Sequence, residues 1–258
     1  MQTSFLAFLA CLLVGCATNT QPSSLVPTTA PSVAIKPQET YHLHLPGIGG
    51  EMFIHRWWCS EIHSAGPTTR SDVYDWTGRR FPIEVLQSVK RNREEAKNVA
   101  TLIAKTRRDH PDARIVISAE SGGTGMAVWA LEDLPADVLV DAVVLIAPAI
   151  SPEYDLSASL RHVRGSMHVF ISEQDNFILA WGTQQYGTID GKHVQAAGRF
   201  GFVEPKSADV TQYAKLVQVP HQEAWWKYWN FGGHGGGMSP SFARHVIAPL
   251  IARGELPG

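Results

Sequence analysis

Two rhythms of apolar residues alternate along the chain. Short runs rich in β-branched residues predict strands at Tyr41–Leu45, at Ser71–Trp76, in a run starting at Arg114, at Ala142–Ala147 and at Met167–Ser172. Helical spacing falls between them. Phe53, Trp57, Trp58 and Ile62 predict a helix over 52–63. Val85, Val89, Ala96, Val99, Ala100 and Ile103 predict a long one over 83–109, with a break near Lys90, stopped by Pro111. Helical residues also follow the Arg114 strand through Leu131, and the tail 242–252 is helical. Asp155–Val163 reads as a short connection. Residues 181–229 show no clean period, and only Gly201-Phe202-Val203 stands out there as a strand candidate. Strands alternating with helices predict a parallel sheet in an α/β fold, and no internal repeat is visible.

The richest stretch is Arg114-Ile115-Val116-Ile117-Ser118-Ala119-Glu120-Ser121-Gly122-Gly123. An apolar strand runs into small residue, any residue, serine, any residue, glycine, and a helix follows. This is the pattern of a nucleophile elbow, a turn so tight that the serine Oγ stands clear at its tip. Ala119 and Gly123 are small enough for it, although glycine is usual at both places. A capping serine in an ordinary strand-to-helix turn would use similar residues. The glycines lack the G-x-G-x-x-G spacing, and no Lys-Ser/Thr pair follows, so neither a dinucleotide fingerprint nor a P-loop fits.

A serine needs a base, and the base needs an orienting acid. In a parallel sheet such groups gather beyond the carboxyl ends of the strands. Asp175 follows the Met167–Ser172 strand, and His234 lies in the glycine-rich loop Phe231–Met238. The order Ser121, Asp175, His234 then makes a triad. His221 and His245 are rivals for the base, and Asp155 is the rival acid. Oxyanion stabilisation needs two N–H donors. Gly122 supplies one, and Ile48, in Pro46-Gly47-Ile48-Gly49-Gly50, is expected to supply the other, with Gly49 as the alternative. Glu120 should point away from the site, since a carboxylate facing the oxyanion would oppose it.

Together these motifs, with Tyr74-Asp75-Trp76-Thr77-Gly78, resemble those of α/β-hydrolases over residues 41–253. Their spacing is similar to that of uncharacterised bacterial serine hydrolases of the planctomycete type. The resemblance implies a mostly parallel eight-stranded sheet, serine hydrolase activity and a structural acid at Asp75. Because the oxyanion-loop strand comes first here, the expectation is a reduced three-layer sandwich of about six strands. The favoured substrate is a small acyl compound, foremost a carboxylic ester. The alternative is a catalytically inactive, surface-tethered binding protein on the same scaffold.

Composition adds the setting. The 258 residues carry a formal charge of -2, with basic and acidic side chains interleaved, which gives no footing for nucleic acid. Phe5–Val14 is an apolar run of signal-peptide length, and Leu13-Val14-Gly15-Cys16 resembles a lipobox. The expectation is a signal peptide over 1–16 with Cys16 lipidated, a Pro/Thr/Ser-rich tether over 17–38, and one domain over 39–258. That places the protein outside the cytoplasm, held to a membrane by its lipid. Cys59, left without a partner cysteine, reads as a packing residue. His42 and His44 share a strand face, but no further ligand is spaced to match, so neither metal nor cofactor is expected. Trp225, Trp226 and Trp229 read as a packed cover over the core.

Overall fold

The computed structural model describes residues 38–64 and 69–253, within a compact unit Pro37–Gly258. The expected signal peptide, Cys16 and nearly all of the tether lie outside the described residues. None of the described helices is long and apolar enough to cross a membrane.

Six strands form one sheet: β1 (Thr40–Leu45), β2 (Thr69–Val73), β3 (Arg114–Glu120), β4 (Ala142–Ile146), β5 (Met167–Phe170) and β6 (Leu216–Val219). Their order is β2-β1-β3-β4-β5-β6, and every pairing is parallel, so the sheet is wholly rather than mostly parallel. Helices α1 (Phe53–His63), α2 (Pro82–Gln87), α3 (Val89–Asp109), α4 (Gly123–Glu132) and α5 (Ser157–Arg161) fill the crossovers. The helix expected over 83–109 is broken at Ser88, whose N–H turns back to Val85 O. The expected strand over 71–76 ends early, because Asp75 turns to bind the Thr77 N–H and hydroxyl.

Alternation along β3 and β4 builds the three layers. Ile115, Ile117, Ala119, Val143 and Leu145 pack with Ala96, Val99, Ile103, Met126 and Trp129 of α3 and α4. Val116, Val144 and Ile146 pack on the other face with Trp58 and Ile62 of α1 and with Phe242 and Ile247 of the tail. Both faces are covered, which is why β4 reads Ala-Val-Val-Leu-Ile with every residue buried.

The weakly periodic region differs from expectation. Residues 201–203 are not a strand; the sixth strand is β6, at the sheet edge. The tail is helical from Pro240 to Arg253 but passes through a π-helical turn, Ala243–Ile247. Trp225 is buried against Phe170 and Phe242, whereas Trp226 and Trp229 are 50% and 70% exposed, so only one of the three tryptophans covers the core.

Candidate active site

Strand order sets where a ligand can bind. The chain goes from β1 outward to β2, then crosses back to β3 on the other side of β1. The reversal opens a crevice at the carboxyl ends of β1 and β3. The loop Pro46–Gly50 leaves β1 there, and Ser121 leaves β3.

Ser121 has φ 51°, a left-handed conformation that costs a non-glycine residue about 1–3 kcal/mol. The surroundings enforce it. Its N–H donates to Ile146 O at 3.0 Å, and its carbonyl accepts from Thr124 and Ala149. The start of α4 butts against the end of β1: a Cβ on Gly123 would stand 2.4 Å from the carbonyl oxygens of both Leu45 and Pro46. Glycine is therefore required at 123. Ala119 is fully buried in the apolar layer against α3 and α4, where its methyl is accommodated. The tight elbow expected from the pattern is present.

The Pro46–Gly50 loop lies against it. A Cβ on Gly122 would meet Ile48 Cγ2 at 2.6 Å and the Ile48 backbone nitrogen at 3.6 Å. Among the described residues, neither the Gly122 nor the Ile48 N–H has a hydrogen-bond acceptor. Two unspent donors thus stand side by side next to Ser121.

Asp175 and His234 meet directly. His234 Nδ1 donates to Asp175 Oδ2 at 2.5 Å. Asp175 is buried, and its Oδ1 accepts the Ile178 and Leu179 N–H groups at 2.9 and 3.2 Å, where the π-helical turn Phe177–Gly182 begins. One oxygen accepts from the first turn of a helix and the other meets a histidine. Burial pushes the Asp175 pKa up, but the His234 bond and the two N–H groups outweigh it and hold the carboxyl below its ordinary value. With Nδ1 carrying the proton, Nε2 of the neutral ring presents a lone pair.

The histidine loop is pinned over the sheet. Asn230 Oδ1 accepts the Gly232 N–H, His221 Nε2 bonds Asn230 O, Gln174 N–H donates to Gly232 O, and Trp58 Nε1 donates to Gly237 O. A Cβ on Gly237 would stand 2.4 Å from Ile146 Cγ2. The loop therefore rests on the end of β4, between the strand carrying Ser121 and the strand preceding Asp175. The structure does not join His234 to Ser121 by a hydrogen bond. Nε2 and Oγ each lack a hydrogen-bond partner among the described residues.

The rivals are engaged elsewhere. His221 braces the loop, His245 stacks on Tyr228 at 4.6 Å, and Asp155 accepts from Ser157 and Ser207. Asp75 braces Thr77 as a structural acid. Cys59 is buried, and desolvation pushes its thiol up to about 12, which leaves it a packing residue. His42 and His44 bracket Ser118 Oγ, and the described residues hold no group of acids, cysteines and histidines suited to a metal ion. The Glu120 carboxylate packs against the start of the Pro46–Gly50 loop, its oxygens 2.6 and 3.2 Å from where a Gly47 Cβ would stand.

A cavity of about 630 Å³ lies on the α3–α4 side, lined in part by Arg93, Trp129, Tyr154 and Asp190. Among its lining residues Arg93 is paired with Glu132 and Tyr154, and Asp190 with Ser151. Neither Ser121 nor His234 lines it.

No family model and no curated protein sequence matches the chain. Solved structures match in fold. Lipase B of Aspergillus fumigatus is 14% identical with a TM-score of 0.53, over 86% of this chain and 54% of the lipase, so the chain spans about half the lipase's length. A cutinase-like protein from Cryptococcus sp. is 12% identical with a TM-score of 0.43, over 84% of this chain and 97% of that one. An acetylxylan esterase is 12% identical with a TM-score of 0.42, over 81% and 97%. The six-stranded parallel sheet with helices on both faces is an α/β-hydrolase type of fold.

Proposed function

We propose that the protein is a serine hydrolase that cleaves an acyl bond, foremost a carboxylic ester, through an acyl-enzyme. The observation that carries this is the Asp175–His234 bond: it leaves Nε2 as acceptor, in a loop resting on β4 beside the strained Ser121 elbow. His234 Nε2 takes the Ser121 proton as Oγ attacks the acyl carbonyl. Asp175 holds the tautomer and stabilises the imidazolium that forms. The Gly122 and Ile48 N–H groups receive the oxyanion. The imidazolium gives its proton to the departing alcohol, and water, deprotonated by the same ring, releases the acid. An ester is favoured because an alcohol leaves more easily than an amine. The neighbours named as lipase, cutinase-like protein and acetylxylan esterase support the fold on which this reading rests.

The test is hydrolysis of p-nitrophenyl esters of graded acyl length by the wild type and by Ser121→Ala. Turnover should appear in the wild type and fall at least about 10⁴-fold in the variant. Equal turnover in both rejects Ser121 as the nucleophile, and none in either returns the reading to an inactive binding protein on this scaffold. Membrane anchoring through Cys16 is a separate proposal resting on the lipobox pattern. Cys16→Ser should abolish incorporation of labelled fatty acid in cells, and persistent incorporation would refute it.

A further inference from the structure

The two exposed tryptophans, Trp226 and Trp229, belong to a larger group of rings left facing solvent. Two segments meet at the Asp175–His234 pair, where the Gln174 N–H also donates to Gly232 O. On one side Phe177 stacks on Trp181 at 5.5 Å, and Trp181 meets Tyr186 edge-on at 6.0 Å. On the other, Phe231 meets Trp226 and Trp229 at 6.1 and 6.2 Å. All six rings are exposed, Phe177 by 72%, and Ile178 is exposed with them. The first segment also reaches the elbow. It ends at Ile189, whose Cδ1 would stand 3.7 Å from a Gly122 Cβ. It thus spans from Asp175 to a proposed oxyanion donor and borders the site along its whole length.

Charge is missing from the same segments. Asp, Glu, Lys and Arg make up 18% of the chain, yet residues 176–189 and 228–243 contain none, nor does Pro46–Gly50. The bordering cations are engaged. Arg199 bonds Asn176 and Gln195 and lies over Phe200, and Lys227 lies over Tyr228. Contiguous exposed apolar groups mark where a partner sits, and the charge pattern tells partners apart. Protein interfaces are enriched in Arg as well as aromatics. Anionic bilayers draw Lys and Arg. Tryptophan and tyrosine without cations suit the boundary between water and an uncharged apolar phase. The rings also border the proposed site, so a permanent partner on them would close it, whereas a substrate would enter it.

We propose that this uncharged aromatic rim seats the site on a neutral, water-insoluble acyl ester gathered in droplets or films. The substrate is then drawn from an apolar phase rather than from solution. That the droplet is substrate rests on the functional reading given above; that it binds does not.

Triolein droplets provide the test, with protein carrying Cys16→Ser and Ser121→Ala so that it bears no lipid and consumes no ester. Flotation should recover the protein with the droplets, and hydrogen exchange should slow in 176–189 and 228–243 when droplets are added. Adding Phe177→Ser and Trp229→Ser, one ring from each segment, should lower the bound fraction about tenfold or more. Phe81→Ser, an exposed ring outside both segments, should leave it unchanged. With Ser121 intact, the Phe177→Ser/Trp229→Ser pair should cut turnover of emulsified ester about tenfold relative to dissolved p-nitrophenyl acetate. Three results would overturn the proposal: unchanged exchange in both segments, equal flotation with and without the paired substitutions, or retention on acetylated cellulose instead of droplets. Tighter binding to phosphatidylserine vesicles that high salt abolishes would overturn it as well. If the paired variant does not fold, exchange in the parent protein still decides. Droplet binding without turnover of any ester would overturn the functional reading and leave the rim a docking surface for neutral lipid.

Discussion

Residues 114–132 and residues 171–238 carry the two reacting side chains of the proposed site, and they hold them by different means. In the first stretch the backbone does the holding. Ile115 to Glu120 are all buried, Ser121 is locked into its left-handed turn by main-chain bonds, and α4 abuts the carbonyls that end β1. The second stretch has little regular structure, only short helical turns and the edge strand β6. Side chains position His234 there: Asp175 from one segment, Asn230 and His221 from the loop itself, and Trp58 from across the sheet. Ser121 is placed by local sequence and His234 by contacts between distant residues. Substitutions should therefore separate the two, mainly through stability in the first and mainly through alignment in the second.

The largest effect is expected at Asp175. In Asp175→Asn the amide can donate to His234 Nδ1, which forces the ring proton onto Nε2 and removes the base. Steady-state assays should show kcat down about 10³–10⁴-fold. The remaining oxygen still accepts from Ile178 and Leu179, so the urea midpoint should barely move. Asp175→Ala should lose as much activity and about 1–2 kcal/mol of stability as well, because the cap goes too. Equal stability in the two variants would break the claim that the acid serves both purposes.

Next comes the oxyanion loop. Ile48→Pro deletes one N–H and should lower kcat about 10²–10³-fold with KM unchanged. A loss confined to KM would place Ile48 in substrate binding instead.

A smaller effect follows from pH. The fold holds the Asp175 carboxyl below its ordinary value. It thus adds stability above the usual carboxylate range near about pH 4, and this stability is lost as pH falls through the lower folded value. Urea midpoints measured downward from about pH 6 should drop more steeply for the wild type than for Asp175→Asn. Parallel curves would contradict the assignment.

A small gain in stability, beside the loss of turnover, is expected at Ser121 itself. Ser121→Gly removes the cost of a left-handed non-glycine residue and should raise stability by about 1 kcal/mol while abolishing turnover. No gain in melting temperature would mean that the elbow is unstrained.

The same division explains what could be read from sequence. β3, β4 and α4 were legible because both sheet faces are covered and their apolar runs have no other use. The candidates Ile48, Ser121, Asp175 and His234 could be named because turn chemistry and chain order constrain them, and the fold brings Asp175 to His234 and Ile48 to the Ser121 turn. β6 was not: it is a four-residue edge strand with Val217 and Gln218 exposed, so its pattern is half erased. The competing candidate at Phe202 is instructive. Its N–H and carbonyl are paired by the Gln218 side chain, at 2.6 and 3.0 Å, so it behaves like a strand without joining the ladder. Glu120 is placed by strand alternation, on the face shared with His44 and Ser118, beside Gly47.

The central claim is that Ser121 is a nucleophile activated by His234. A fluorophosphonate probe followed by peptide mass spectrometry tests it most directly. A single phosphonylated serine, Ser121, is expected in the wild type, and no label in Ser121→Ala or His234→Ala. A label that persists in Ser121→Ala, or a folded wild type that takes no label, would contradict it.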